Sequence, residues 1–249
     1  MSSIMGGGTG VDVAEGNVAT TSFEDKFGRN PNVDTGSEDI WDFGGTYTWP
    51  IVSQLASHYS SDSADDADGE IGATQMKIFG LDIDYQLTDL IVPLQGLTEV
   101  SLSTKLLRIH RMYITIAGSE GKNIGTISLR MGLGGPIVAQ IKPGNNQSLM
   151  TQYTVPDGFN GYIQTFYASL IKPTGVTSVG TVFLKIRKLN SVFRVQRVVG
   201  VSHSGNSFIT VPIVIPIPLP PKTDVTIEAS VDQNNTDIAA GYTVLLRKI

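Results

Sequence analysis

The chain contains no cysteine, which excludes disulfides, cysteine-ligated zinc, iron–sulfur clusters and thiol catalysis. Histidine is scarce too: His58, His110 and His203 are the only three. They are scattered, one in a polar stretch, one mid-strand between Arg108 and Arg111, one in a turn. No Gly-x-Ser-x-Gly elbow and no His-Glu-x-x-His motif is present. No catalytic residue, metal ligand set or cofactor is therefore assigned, and the chain is not expected to be an enzyme. Long apolar runs are missing as well. The longest, FITVPIVIPIPLPP, carries five prolines and is too short to span a bilayer. The N-terminal MSSIMGGGTG lacks the basic and apolar regions of a signal peptide. Neither a membrane segment nor a targeting segment is expected.

Basic residues are nearly absent from the first third. Residues 1–75 hold 13 Asp or Glu against Lys26 and Arg29 alone, a charge near -11. Residues 76–249 hold 10 acidic and 16 basic residues, near +6, so the net -5 hides an asymmetry. The split predicts a boundary near residue 75 and suits an acidic segment lying along a basic surface, on its own chain or a neighbour's. A plain alternative is that the acidity keeps an arm soluble. Residues 1–75 are rich in Gly, Ser, Asp, Asn and Thr and show no sustained period, which predicts an extended arm. One short run, Pro50–Tyr59, reads as a strand or a helical turn. Both tryptophans, Trp41 and Trp49, lie in this arm with Phe43 and Tyr47. The four are expected to be anchors for a surface outside the chain's own β domain. The competing reading folds them back onto that domain.

What the chain has in quantity is strand pattern. From residue 76 onward, runs such as TQMKIFGLDI, TKLLRIHRMYITIAG, GYIQTFYASLI and DVTIEASV are separated by turn signals: GSEGKN, KPGNNQ, PDGFN, HSGN, QNNTD. In TVFLKIRK, Val182, Leu184 and Ile186 share one face while Lys185 and Arg187 point away. Val225, Ile227 and Ala229 alternate with Thr226, Glu228 and Ser230. The pattern predicts an all-β chain: an antiparallel β-sandwich with jelly-roll connections over residues 76–249, and the extended arm over 1–75. The prolines of Val211–Pro221 restrict that stretch to an edge strand, whose isoleucines need cover from the domain or a neighbouring subunit.

Other motifs carry less. The acidic run Ser61–Glu70 fails the EF-hand spacing, because Ala64 and Gln75 fall where the first and twelfth ligands belong. A looser calcium site and a solvated acidic turn remain the alternatives. GLGG at Gly132–Gly135 precedes no helix and reads as a hairpin. Lys185, Arg187, Arg194 and Arg197, with Lys188, are interleaved with Phe183 and Phe193. Overall acidity argues against nucleic-acid binding by this cluster. It is expected to be a docking face.

Several stretches together resemble proteins of tailed bacteriophages: FGRNPNVDTGSEDIWDFGGTYTWP, DDADGEIGATQMKIFGLDIDYQ, LRIHRMYITIAGSEGKNIGTISL, IKPGNNQSLMTQYTVPDGFNGYIQTFYASL and VFRVQRVVGVSHSGNSF. The resemblance runs from about Phe27 to the C-terminus and implies a virion structural protein at the particle surface. The expected function is capsid decoration (cement), as a homo-trimer in contact with the major capsid protein. The alternative is a neck, tail or fibre protein that binds a host glycan.

Overall fold

The computed structural model describes residues 10–51, 57–171, 178–205 and 207–249. Helix among them is confined to α1 (Gly10–Ala14). All other regular structure is strand, and every strand pairing is antiparallel. The expected all-β class with almost no helix is what the chain adopts.

The strands build two sandwiches, not one. The chain opens the first with β1 (Thr21–Val33) and β2 (Ser37–Asp39) and then leaves it. The next seven strands form the second. They are β3 (Ser57–Ser61), β4 (Ala73–Leu81), β5 (Leu87–Pro93), β6 (Val100–Ser101), β7 (Arg108–Ala117), β8 (Ile127–Met131) and β9 (Ile137–Ile141). The chain then returns to complete the first with β10 (Tyr153–Thr154), β11 (Phe159–Ile171), β12 (Val179–Arg187) and β13 (Arg194–Ser202). β14 (Phe208–Leu219), β15 (Asp224–Val231) and β16 (Thr236–Lys248) end it. The second sandwich is thus inserted into the first.

One sheet of the outer sandwich runs β1-β16-β11-β14. In the other, β12 lies between β15 and β13, and β15 pairs β10 and β2 along its far side. The pairing is nested: β1 with β16, β2 with β15, β11 with β14, β12 with β13. β16 also pairs β11, and β15 pairs β12. The alternating faces meet as their pattern demands. Val182, Leu184, Ile186, Val225, Ile227 and Ala229 all enter one core with Ile163, Phe166 and Tyr242. The inserted sandwich stacks β6-β3-β8-β9 on β5-β4-β7 around its own core, which includes Met76, Ile78, Met112 and Leu129. Each such side chain contributes about 1.5–3 kcal/mol by leaving water.

The expected arm over residues 1–75 is corrected by these pairings. Residues 21–33 run alongside β16 for most of its length. The boundary placed at residue 75 falls inside β4, and β3 belongs to the same sandwich. β1 shows no apolar period because its inward positions, Lys26, Gly28 and Asn30, face polar chain and not a greasy core. A Cβ at Gly28 would lie 2.5 Å from the carbonyl oxygen of Ile40 and 2.9 Å from the nitrogen of Thr151, so only glycine lets these backbones approach. Of the Pro50–Tyr59 run, residues 52–56 lie outside the described residues, and the part from Ser57 enters β3.

β14 is the edge of its sheet, as its prolines require. Its register against β11 jumps from Ile163↔Ile217 to Thr165↔Pro212. Ile213–Pro216 therefore bulge out opposite Gln164 alone.

Candidate functional site

The aromatics of residues 41–49 lie at the junction of the two sandwiches. Trp41 is 2% exposed and sits with Tyr47 in the core of the inserted sandwich. The adjacent Ile40 enters the other core. A ladder of rings leads out: Trp41 to Tyr47 at 4.9 Å, Tyr47 to Trp49 at 5.1 Å, Trp49 to Phe193 at 5.5 Å. Phe193 belongs to the turn between β12 and β13, so the ladder clasps one sandwich to the other. Only Phe43 is half exposed, and it leans on Trp41 at 5.3 Å. Trp41, Tyr47 and Trp49 are corrected from external anchors to internal ones. The reason is that strands on both sides of them supply the cover that their own segment cannot.

A chain of charges crosses the same junction. Arg108 on β7 donates from Nε to Oδ1 of Asp224 at 3.1 Å and to Thr154 Oγ1 at 3.2 Å. Its Nη1 donates to the carbonyl of Pro50. Arg187 holds the other oxygen of Asp224 from Nη2 at 2.6 Å and stacks its guanidinium over Phe193 and Trp49. Such a desolvated pair stands only while complete, and removing one partner costs about 3–5 kcal/mol. Beside it, Lys26 is 1% exposed and donates to the carbonyl of His110. Burial and then Arg111 lower its ammonium pKa to about 7. His110 accepts the N–H of Thr154 at 3.2 Å and packs on Tyr153, and burial holds its pKa well below the ordinary value. Burial raises Asp39 to about 6 and Asp42 to about 7. Asp39 accepts from Thr226 Oγ1 and Asp42 from the N–H of Leu149. These groups are held in hydrogen bonds at or beside the junction of the sandwiches.

The candidate docking residues divide. Lys185 is paired with Glu228 at 2.5 Å and Arg187 with Asp224, so both serve the chain's own sheet. Arg194 and Arg197 on β13 are exposed. β13 and β14 are the edges of the two sheets of the outer sandwich, and between them opens a cleft of about 240 Å³. Ile186, Lys188, Val192, Arg194, Ile217 and Pro218 are among its walls. The bulge of β14 leaves Val214 at 92% and Ile215 at 83% exposure, and on β13 Val195 and Val198 are half exposed on the face that Lys185 and Phe183 share. Exposed apolar side chains, and cations unpaired among the described residues, along two sheet edges are the makings of an interaction surface.

The acidic run Ser61–Glu70 is a structural knot. Asp66 is fully buried and accepts four hydrogen bonds: from the N–H groups of Ala73, Ile124 and Gly125, and from Ser61 Oγ. Asp62 accepts the N–H of Thr126 at 2.6 Å. No cluster of three or more His, Asp or Glu suited to a metal occurs among the described residues. Sequence reading missed Lys26, Asp39 and Asp66. Nothing in DDADGE marks which carboxylate is buried, whereas the glycines near it, Gly72 and Gly125, are the close approaches that could have hinted at it.

No family model matches the sequence, and no curated protein does. Among solved structures, the chain is similar to the structure of infectious bursal disease virus Gx strain at 10% identity. That match has a TM-score of 0.26 and covers 92% of this chain and 72% of the other. The infectious bursal disease virus VP2 subviral particle matches at 10% identity and TM-score 0.24, covering 91% and 72%. Overlaps this slight leave the fold to be described by its own strand pairing.

Proposed function

We propose that this is a virion structural protein, specifically a capsid decoration (cement) protein on a tailed-phage particle. It acts without catalysis, associates with copies of itself as a closed trimer, and contacts the major capsid protein. The observation that carries this reading is the nested pairing of the outer sandwich. Four pairs, β1·β16, β2·β15, β11·β14 and β12·β13, joined through β16·β11 and β15·β12, are what results from rolling up one long antiparallel ribbon. That order supports reading the outer sandwich as a jelly roll, an architecture used by viral capsid and lectin domains. Architecture does not choose between those roles. The resemblance of the five quoted stretches to tailed-phage proteins supports the virion. The exposed apolar edge at Val214 and Ile215 supports assembly with further copies. The test is quantitative mass spectrometry of purified particles. A stoichiometry near that of the major capsid protein is expected, and a few copies per particle would overturn decoration in favour of a neck or tail position.

One observation favours the glycan-binding alternative. The outward face of β3, β8 and β9 holds a polar hollow of about 320 Å³ with Ser60, Asp62, Ser128, Arg130, Gln140 and Lys142 among its walls. Hydroxyl, amide, carboxylate and cationic groups together suit the hydroxyl-rich surface of a saccharide. Glycan-array binding abolished by Arg130→Ala would support that reading.

A further inference from the structure

We propose that the protein self-assembles head to tail: the acidic tip of the inserted sandwich in one copy docks on the basic, apolar β13–β14 edge of the outer sandwich in the next. This rests on the self-association in the proposed function and names its geometry. The charge distribution is segregated more sharply than the two-part split near residue 75. From Gly158 to Thr223, 66 residues contain no Asp or Glu but seven Lys or Arg. This stretch builds β11 to β14, including both sheet edges. Lys185, Arg187 and Lys222 find carboxylates on neighbouring segments. Lys188, Arg194 and Arg197 enter no ion pair among the described residues. Lys188 and Arg194 line the cleft, Arg197 shares Arg194's face of β13, and Val214 and Ile215 stand exposed on β14.

The complementary surface is on the same chain. The loops 62–72, 94–99 and 118–126 of the inserted sandwich are held together by Asp66 and by backbone bonds such as Gly96 N–H to Asp66 O and Glu120 N–H to Ile71 O. They carry Asp62, Asp65, Asp68, Glu70, Glu99 and Glu120, none fully buried, against Lys122 alone. Ile71 and Leu97 are exposed among them. The tip is thus acidic with apolar points, and the edge is basic with apolar points. No ion pair among the described residues joins the two within one chain.

The sign of charge decides the symmetry. Edge against edge would bring Arg194 and Arg197 of both copies together, and like charges juxtaposed across a contact are costly. Edge against tip pairs opposite charges and is heterologous, which joins copies head to tail, in a ring where the rotation closes and in a filament where it does not. The prolines of β14 deny a partner strand a continuous ladder, which leaves side-chain contact as the mode of docking.

The experiment is sedimentation velocity over a concentration series, at low and high salt, on the full chain and two charge-reversed variants. Arg194→Glu with Arg197→Glu reverses the edge, and Asp68→Lys with Glu70→Lys reverses the tip. All four side chains are exposed, and unchanged circular dichroism checks the fold. The wild type is expected to form a salt-sensitive oligomer, each variant alone to associate about tenfold or more weakly, and an equimolar mixture of the two to associate again. Variants that assemble as tightly as the wild type, or a mixture that stays apart, would overturn the head-to-tail contact while leaving self-association standing. A wild type that stays monomeric at its highest soluble concentration would overturn self-association itself. So would edge-reversed protein that fails to bind particles to which the monomeric wild type attaches, since the edge then serves a different acidic partner.

Discussion

Replacing Asp66 with alanine tests whether a single buried carboxylate holds the tip of the inserted sandwich together. Oδ1 accepts the N–H groups of Ala73 at 2.9 Å and Ile124 at 2.8 Å; Oδ2 accepts Gly125 N–H at 2.8 Å and Ser61 Oγ at 2.6 Å. The side chain is completely buried, so alanine leaves three backbone donors without a partner. Each orphaned donor costs about 1–3 kcal/mol, and partial relaxation and entering water bring the sum to roughly 3–5 kcal/mol. Set against a typical domain stability of about 5–15 kcal/mol, that is enough to unfold the inserted sandwich first. Asp66→Asn separates the contributions. It keeps one oxygen and its two acceptor bonds but turns an amide N–H₂ toward a backbone N–H, so roughly half the loss is expected. The assay is guanidinium unfolding followed by tryptophan fluorescence, because Trp41 lies in the core of the inserted sandwich. An early transition of Trp41, ahead of the loss of β-signal, is expected in Asp66→Ala. A change of under about 1 kcal/mol in that variant would refute the reasoning, since it would mean that water satisfies these donors.

Stability should pass through a minimum near neutral pH. Asp39 and Asp42 have folded pKa values of about 6 and about 7 against an ordinary 3.8, so the folded chain holds more protons in that window and stability falls as pH rises through it. His110, depressed by burial, opposes one of them below 6.5. Lys26 titrates near 7 folded and at 10.5 unfolded, so the unfolded chain holds more protons between those values and stability rises again, by up to about 1.4 kcal/mol per pH unit. Lys26→Met should abolish that alkaline rise in urea titrations at several pH values, and its persistence would refute the assignment. Trp41→Ala should cost about 3–5 kcal/mol in chemical unfolding, because the indole is 2% exposed in the core of the inserted sandwich; a surface anchor would cost little. Gly28→Ala should lower the melting temperature by several degrees, as its methyl would meet Ile40 and Thr151 backbone atoms at 2.5 and 2.9 Å. Arg187→Met should weaken the junction by about 3 kcal/mol, read as earlier proteolysis between the sandwiches, while Arg194→Met leaves the monomer's stability unchanged.

Local pattern by itself determined the class of this protein and the faces of its strands. The period of two in β12 and β15 put Val182, Leu184, Ile186, Val225 and Ile227 inside, because alternate side chains of a strand must point to opposite faces. The prolines placed β14 at an edge, because they lack the N–H that a central strand needs. Even so, Thr226, read as outward, is buried, because Asp39 and Gln152 cover that face from segments far away in sequence. Tertiary structure alone decided that β1 belongs to the sandwich completed by β16, Thr21 opposite Arg247, and that a whole second sandwich is inserted between them. It decided that Trp41 turns inward, that Arg187 meets Asp224 while Arg194 meets no carboxylate among the described residues, and that Asp66 is the buried acid of its run. Periodicity records which face of a strand is wet, and composition records where turns are cheap. Neither records the partner that a strand or a charge meets some two hundred residues away, because that choice is made by the summed burial and hydrogen bonding of elements that the local sequence does not contain.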